Sequence, residues 1–191
     1  MSRYRGPRLK ITRRLGQPLP GLVQKLPRTG KETQPPGQHG TLRRKNSQYA
    51  IRLQEKQKVR YHYGLTESQM IRYVQKARDM KGPTGSVLLT LLEKRLDNTL
   101  FRCGLAPTMR AARQLINHGH ITINSKKVTI PSYHLEPGLD VITYADPSGS
   151  QQKIDWLNNS KFATQKREGV SVQTDNLGIN ELLIIEFYSR K

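Results

Sequence analysis

Cysteine is almost absent from this 191-residue chain, where Cys103 stands alone. One thiol excludes an intrachain disulfide framework and a cysteine-based zinc site. It also points to a reducing compartment. Acidic residues are scarce at the N-terminal end, where residues 1–60 hold sixteen Lys or Arg against only Glu32 and Glu55. Aromatic residues make up 6% of the chain and Trp156 is the sole tryptophan, so no aromatic cluster for stacking bases is visible. Long apolar runs are missing too. The longest, Val87 to Leu92, includes Thr90 and falls far short of the roughly 18 residues that suggest a membrane span. An interfacial membrane binder would need a basic amphipathic helix with Trp or Phe on its apolar face, and the only Trp, Trp156, lies outside any such helix. The first twenty residues have six basic side chains and no apolar run, which argues against a secretory signal. Serine-rich character, expected of a transit peptide, is limited there to Ser2.

What is present is positive charge. Lys and Arg total 33 against 14 Asp and Glu, a formal net charge of +19, and the sequence pI is about 10.4. Such an excess repels itself unless a polyanion neutralises it, and nucleic acid is the first reading of that charge. Residues 1–45 mix this charge with six prolines and six glycines. They read as a basic extended arm with too little apolar surface to order itself alone.

Beyond the arm the periodicity is helical. Ser47 is a candidate N-cap for a helix over 47–63, with Tyr49, Leu53, Val59 and Tyr63 near one face and Gly64 ending it. Thr66 and Gln69 have capping-box spacing for a second helix reaching about Met80. A third is expected from near Ser86 to Phe101, with a wide leucine stripe, and a short fourth between Thr108 and Gly119. The period then falls to two. Ile121, Ile123, Val128 and Ile130 flank a hairpin turn, Leu139 to Tyr144 reads as a strand, and Leu182 to Tyr188 as a terminal strand or extended segment. The fold class is α+β: an arm over 1–45, a helical domain over 46–90, a second domain over 91–153 of two helices packed on a small antiparallel sheet, and a connecting segment over 154–176.

The candidate interface has two parts. In the arm and first helix, Arg43, Arg44, Lys45, Arg52, Lys56 and Arg60 lead the candidates for phosphate neutralisation, with Arg13, Arg14 and Lys58 beside them. In the second part Arg95 precedes the helix that carries Arg110, Arg113, Gln114 and His118 on its polar side, and Lys126 and Lys127 lie at the hairpin turn. Arg110, Arg113 and Gln114 sit three to four residues apart and so share a face. Guanidinium groups held on a rigid surface match phosphate oxygens. Recognition by shape and backbone is expected over base reading.

The stretch from Arg95-Leu96-Asp97-Asn98 through Gly104, Ala112-Arg113-Gln114-Leu115-Ile116 and Gly119-His120-Ile121-Thr122-Ile123-Asn124 resembles the small RNA-binding domain named after ribosomal protein four. The opening Met1-Ser2-Arg3-Tyr4-Arg5-Gly6-Pro7-Arg8 is similar to plastid and cyanobacterial members of that small-subunit ribosomal protein family, and Pro36-Gly37-Gln38-His39-Gly40 and Lys81-Gly82-Pro83-Thr84-Gly85 match as well. Nearly the whole chain is covered, apart from about residues 146–176. The resemblance implies a primary binder of small-subunit ribosomal RNA. Such a protein nucleates assembly of the subunit body, contributes to translational accuracy and touches ribosomal protein five. It also implies that the RNA-binding domain is inserted, so that 177–191 return to the helical domain. It adds Arg3, Tyr4, Arg5, Arg8, Gln38 and His39 to the candidate RNA contacts. The expected location is the chloroplast stroma, within the ribosome, with a bacterial cytoplasm as the alternative.

Two departures from the family pattern stand out. Ser125 replaces the Gly that many relatives have after the hairpin Asn, which suggests a different turn type. The arm also lacks the Cys-rich knot of some bacterial members, so no metal is expected. The five histidines have no ligand spacing with acidic support, and no cofactor or small-molecule substrate is implied. Asp97 in Arg95-Leu96-Asp97 invites a catalytic reading, since RNA-modifying enzymes share this domain. Its apolar surroundings favour an ion pair with Arg95 instead, and the chain is read as a non-enzyme.

Overall fold

The structure, a computed structural model, describes residues 4–23, 34–38, 40, 46–136, 140, 142–145, 151–154 (backbone alone) and 178–189. Among these are seven helices and four strands. They fall into two compact units that divide after Leu88, within one helix, and the C-terminal helix belongs to the first.

In the first unit, α1 (Arg8–Leu15) lies in the segment expected to be a coreless arm. The expectation fails because Ile11, Leu15, Leu19 and Leu22 bury together, with Tyr61 from the next helix packed against them. The arm's apolar residues are few, but a distant aromatic ring completes their core. α2 (Gln48–His62) starts at Ser47, whose side chain accepts from the Ala50 N–H. α3 (Glu67–Asp79) opens with the Thr66–Gln69 capping box and buries Met70, Val74 and Ala77. Both caps follow the sequence expectation, since capping is a local matter.

The expected terminal strand is a helix, α7 (Glu181–Ser189). A run such as Leu182-Leu183-Ile184-Ile185 is ambiguous between strand and helix by periodicity alone. Packing against α2 decides it, burying Ile184, Phe187 and Tyr188.

The expected third helix is also corrected. It is two helices, α4 (Thr84–Glu93) and α5 (Leu96–Arg102). Arg95 between them is extended and forms an isolated bridge with His134. Leu96 N–H donates to Tyr133 O, and Leu135 N–H to Lys94 O. The leucine periodicity runs straight through this break because the cause lies some forty residues away in sequence.

The second unit continues with α6 (Met109–Asn117), capped by Thr108. It then forms an antiparallel sheet in the order β2-β1-β3-β4, from β1 (Ile121–Ile123), β2 (Lys126–Lys127), β3 (Ile142–Ala145) and β4 (Gln151–Ile154). Leu96, Leu100, Ala112, Ile116, Ile121 and Ile142 form its buried centre. Asn124 and Ser125 both have positive φ, 49° and 66°. Ser125 therefore occupies the left-handed position of a two-residue turn, and does not escape to another geometry as expected.

Candidate nucleic-acid interface

The cations of the first unit differ in what holds them. On α2, Lys56 Nζ lies 2.9 Å from Glu67 Oε1 and 4.5 Å from the centre of the Phe187 ring. Lys58 closes on Glu55, and Arg52 on Glu186. Arg60 reaches Gln57 Oε1 at 3.3 Å and Glu67 at 3.9 Å. Lys56 and Lys58 are each only 5% exposed. Both were expected to meet phosphate; the fold instead buries Lys56 against Glu67 of the next helix and Lys58 against Glu55 three residues before it. Arg52 and Arg60 keep part of their surface. Burial pushes the Glu67 carboxyl up, but hydrogen bonds from Lys56 and Tyr188 and the charges of Lys56 and Arg60 outweigh it, holding Glu67 below the ordinary range. Burial and the Glu67 charge push the Tyr188 phenol up.

The arm presents its cations differently. Arg5 and Arg14 are exposed, and Arg8 is half-buried. Arg13 is anchored through Nε to Gln34 O at 2.9 Å. Gln38 is exposed. Tyr4, 40% exposed, meets Tyr61 edge to face with centroids 5.5 Å apart. Arg3, His39, Arg43, Arg44 and Lys45 lie outside the described residues. The fold thus pairs aromatics that are 57 positions apart in sequence, where no cluster was visible. α3 adds Arg72 and Lys76, exposed one turn apart and absent from the sequence-based candidates. Their signal was present, since Met70, Val74 and Ala77 mark the buried face and leave these two opposite.

In the second unit, Asp97 is the hub. It is 1% exposed and receives Arg95 in a fork, Nε to Oδ1 at 3.0 Å and Nη2 to Oδ2 at 2.8 Å. Arg113 Nε donates to the same Oδ2 at 2.7 Å, and Asn98 N–H to Oδ1 at 3.0 Å. Asp97 is a structural ion-pair centre, as its surroundings suggested. Arg95, expected as an RNA contact, is 3% exposed and directed into this pair. Arg113 is held at Nε with its side chain 19% exposed, which orients it on the same helix as half-buried Arg110 and exposed Gln114. His118, Lys126 and Lys127 are exposed around the end of α6 and the hairpin. Gly119, at φ 77°, allows the Lys127 stem to lie against the helix terminus, because a Cβ there would come within 1.8 Å of Lys127 Cε. The result is a polar, cationic face on a buried apolar base.

That combination of two helices, a small sheet and a cationic face has the make-up of a small RNA-binding domain, in a chain that also carries a helical unit. The profile of the "Ribosomal protein S4/S9 N-terminal domain" matches residues 3–93, and that of the "S4 domain" matches residues 94–141. Small ribosomal subunit protein uS4 of Thermosynechococcus vestitus is 50% identical over the full length of both chains. The uS4 protein of Acaryochloris marina is 52% identical, and uS4c of Cyanophora paradoxa 49%, again over the full lengths. The chain belongs to the uS4 ribosomal protein family.

Proposed function

We infer that this chain is a structural constituent of the small ribosomal subunit that binds small-subunit ribosomal RNA. The observation that carries the reading is the end-to-end match, at about half identity, to proteins named for that subunit. The exposed Gln114, His118, Lys126 and Lys127 and the oriented Arg110 and Arg113 support it, since phosphate recognition needs cations that are both accessible and held. In the first unit Arg5, Arg8, Arg14, Arg52 and Arg60 contribute on the same physical ground, with Tyr4 beside them. An RNA-modifying role is disfavoured by Asp97, whose two oxygens are occupied by Arg95, Arg113 and a backbone N–H.

In this reading the chain binds early and pins RNA helices at a junction. It thereby lowers the entropy cost of later assembly steps and supports accurate decoding. Its neighbours are other ribosomal proteins, ribosomal protein five foremost, and its place is the chloroplast stroma or, alternatively, a bacterial cytoplasm. The test is binding of the purified chain to small-subunit ribosomal RNA against an unrelated structured RNA of equal length, across a salt titration. A preference of about a thousandfold or more, the low end for specific protein–DNA pairs, is expected. Equal affinities that collapse together with salt would reduce the reading to charge alone.

A further inference from the structure

Between α1 and α2 the first unit holds a cavity of about 350 Å³, within the size range of small-molecule sites. Its lining has two characters. Ile11, Leu15, Ala50 and Leu53 make it apolar on one part, while Asn46, Gln54 and Gln57 bring side-chain amides. Tyr61 adds an aromatic wall, braced by Tyr4 at its edge and by the Arg60 guanidinium 5.2 Å from its centroid. Among the described residues the one charged lining residue is Arg14, which is exposed and has no ion pair among them. Among the described residues no carboxylate lines the cavity.

We propose that this cavity takes one unstacked nucleobase of the bound RNA. The inference rests on the RNA-binding reading above and deepens it from backbone contact to base capture. A base has apolar faces and a rim of donors and acceptors, and it arrives attached to a phosphate. The cavity offers an apolar and aromatic surface for the faces. Each amide presents a donor and an acceptor for the rim. Gln54 Nε2 is already held by Leu15 O at 2.9 Å and Gln57 Oε1 by Arg60 at 3.3 Å, so the Asn46 amide and the Gln57 NH2 are the groups that read the base edge. Arg14 faces the phosphate. Shape-only recognition of duplex RNA would have no use for such a cavity, since paired bases stay in their stack. A small-molecule anion would leave the amides and the apolar lining unexplained.

The test is base-level chemical probing of small-subunit ribosomal RNA, free and bound to the full chain. The variants are Ala50→Leu, which fills the cavity, and Asn46→Ala, which removes only an exposed amide and so keeps the test valid if the first variant misfolds. Thermal melting checks that each variant folds. The wild-type chain is expected to shield the pairing edge of one unpaired nucleotide, and Ala50→Leu to restore that nucleotide's reactivity while other protections persist. At ~1–3 kcal/mol per captured base, affinity should fall roughly fivefold to more than a hundredfold. Asn46→Ala should do the same more weakly. Ultraviolet cross-linking should join that nucleotide to the peptide containing Tyr61. A wild-type footprint that folded variants leave unchanged, with affinity within twofold, overturns the base site alone. No preference of the wild-type chain for this RNA overturns the functional reading and the base site together.

Discussion

Helix α2 and the α6–hairpin region carry similar cations, and the fold treats them in opposite ways. On α2 the charges are met by Glu55, Glu67 and Glu186, so Arg52, Lys56, Lys58 and Arg60 serve the protein's own interior and rim. Around the hairpin, Lys126 and Lys127 stand exposed with no ion pair among the described residues. A shortage of acids nearby in sequence does not mean a shortage nearby in space, since Arg52 and Glu186 are 134 positions apart. Positive charge stays available to a polyanion where the fold leaves the cation in solvent, as at Lys126 and Lys127, and not where it buries the cation against a carboxylate, as at Lys56 and Lys58.

The strongest test of this contrast is in the second unit, where Arg95 and Arg113 are also committed internally. Asp97→Ala takes the carboxylate away from the buried Arg95 guanidinium. We predict a loss of about 3–5 kcal/mol in unfolding free energy, measured by denaturant titration. A loss below ~1 kcal/mol would show that water reaches Arg95 and that the hub is not closed.

Glu67→Gln is expected to cost about 1–3 kcal/mol, because it weakens charge-assisted bonds from Lys56 and Tyr188. It also has a pH signature. Since the folded pKa of Glu67 lies below its ordinary value, its contribution is fully present above the unfolded pKa, near 4.5, and is lost as pH falls through the lowered folded value. Melting temperatures measured from pH 7 down to acid should therefore fall less steeply in the Gln variant than in the wild type. Parallel curves would remove Glu67 from the acid response.

Lys58→Met and Lys126→Ala sharpen the contrast directly. Lys126→Ala should leave stability within ~0.5 kcal/mol and flatten the log–log salt dependence of RNA affinity by about 0.7–0.9. Lys58→Met should do the reverse, destabilising the fold and leaving the slope unchanged. If both variants flatten the slope equally, burial in the free chain does not predict contact with RNA.

The smallest effect is expected at the hairpin. Ser125 sits at φ 66°, a conformation that costs an L-residue roughly 1–2 kcal/mol, and Gly recovers part of this at the expense of its own unfolded-state entropy. Ser125→Gly should stabilise by about 0.5–1 kcal/mol in the same denaturant titration, with RNA affinity unchanged.

Much was legible in the sequence because it depends on near neighbours. The Ser47, Thr66 and Thr108 caps, the α2, α3 and α6 helices they open, and the β1–β2 hairpin follow from spacing and local hydrogen bonding. So does the polar face of α6, because Ala112 and Ile116 mark its buried side. The long motif matches carried the family, and the net charge carried the class of partner. Tertiary structure decided what depends on distant residues. It turned Leu182 to Tyr188 into a helix on α2, broke the leucine stripe at Arg95 through the bridge to His134, and gave the arm a core by adding Tyr61. It also sorted the cations, bringing Glu67 to Lys56, burying the locally paired Lys58 and Arg95, and leaving Lys126 and Lys127 in solvent. Local rules act over three or four residues, whereas burial and long-range ion pairs such as Arg52–Glu186 depend on which segments meet, and no short window of sequence contains that information.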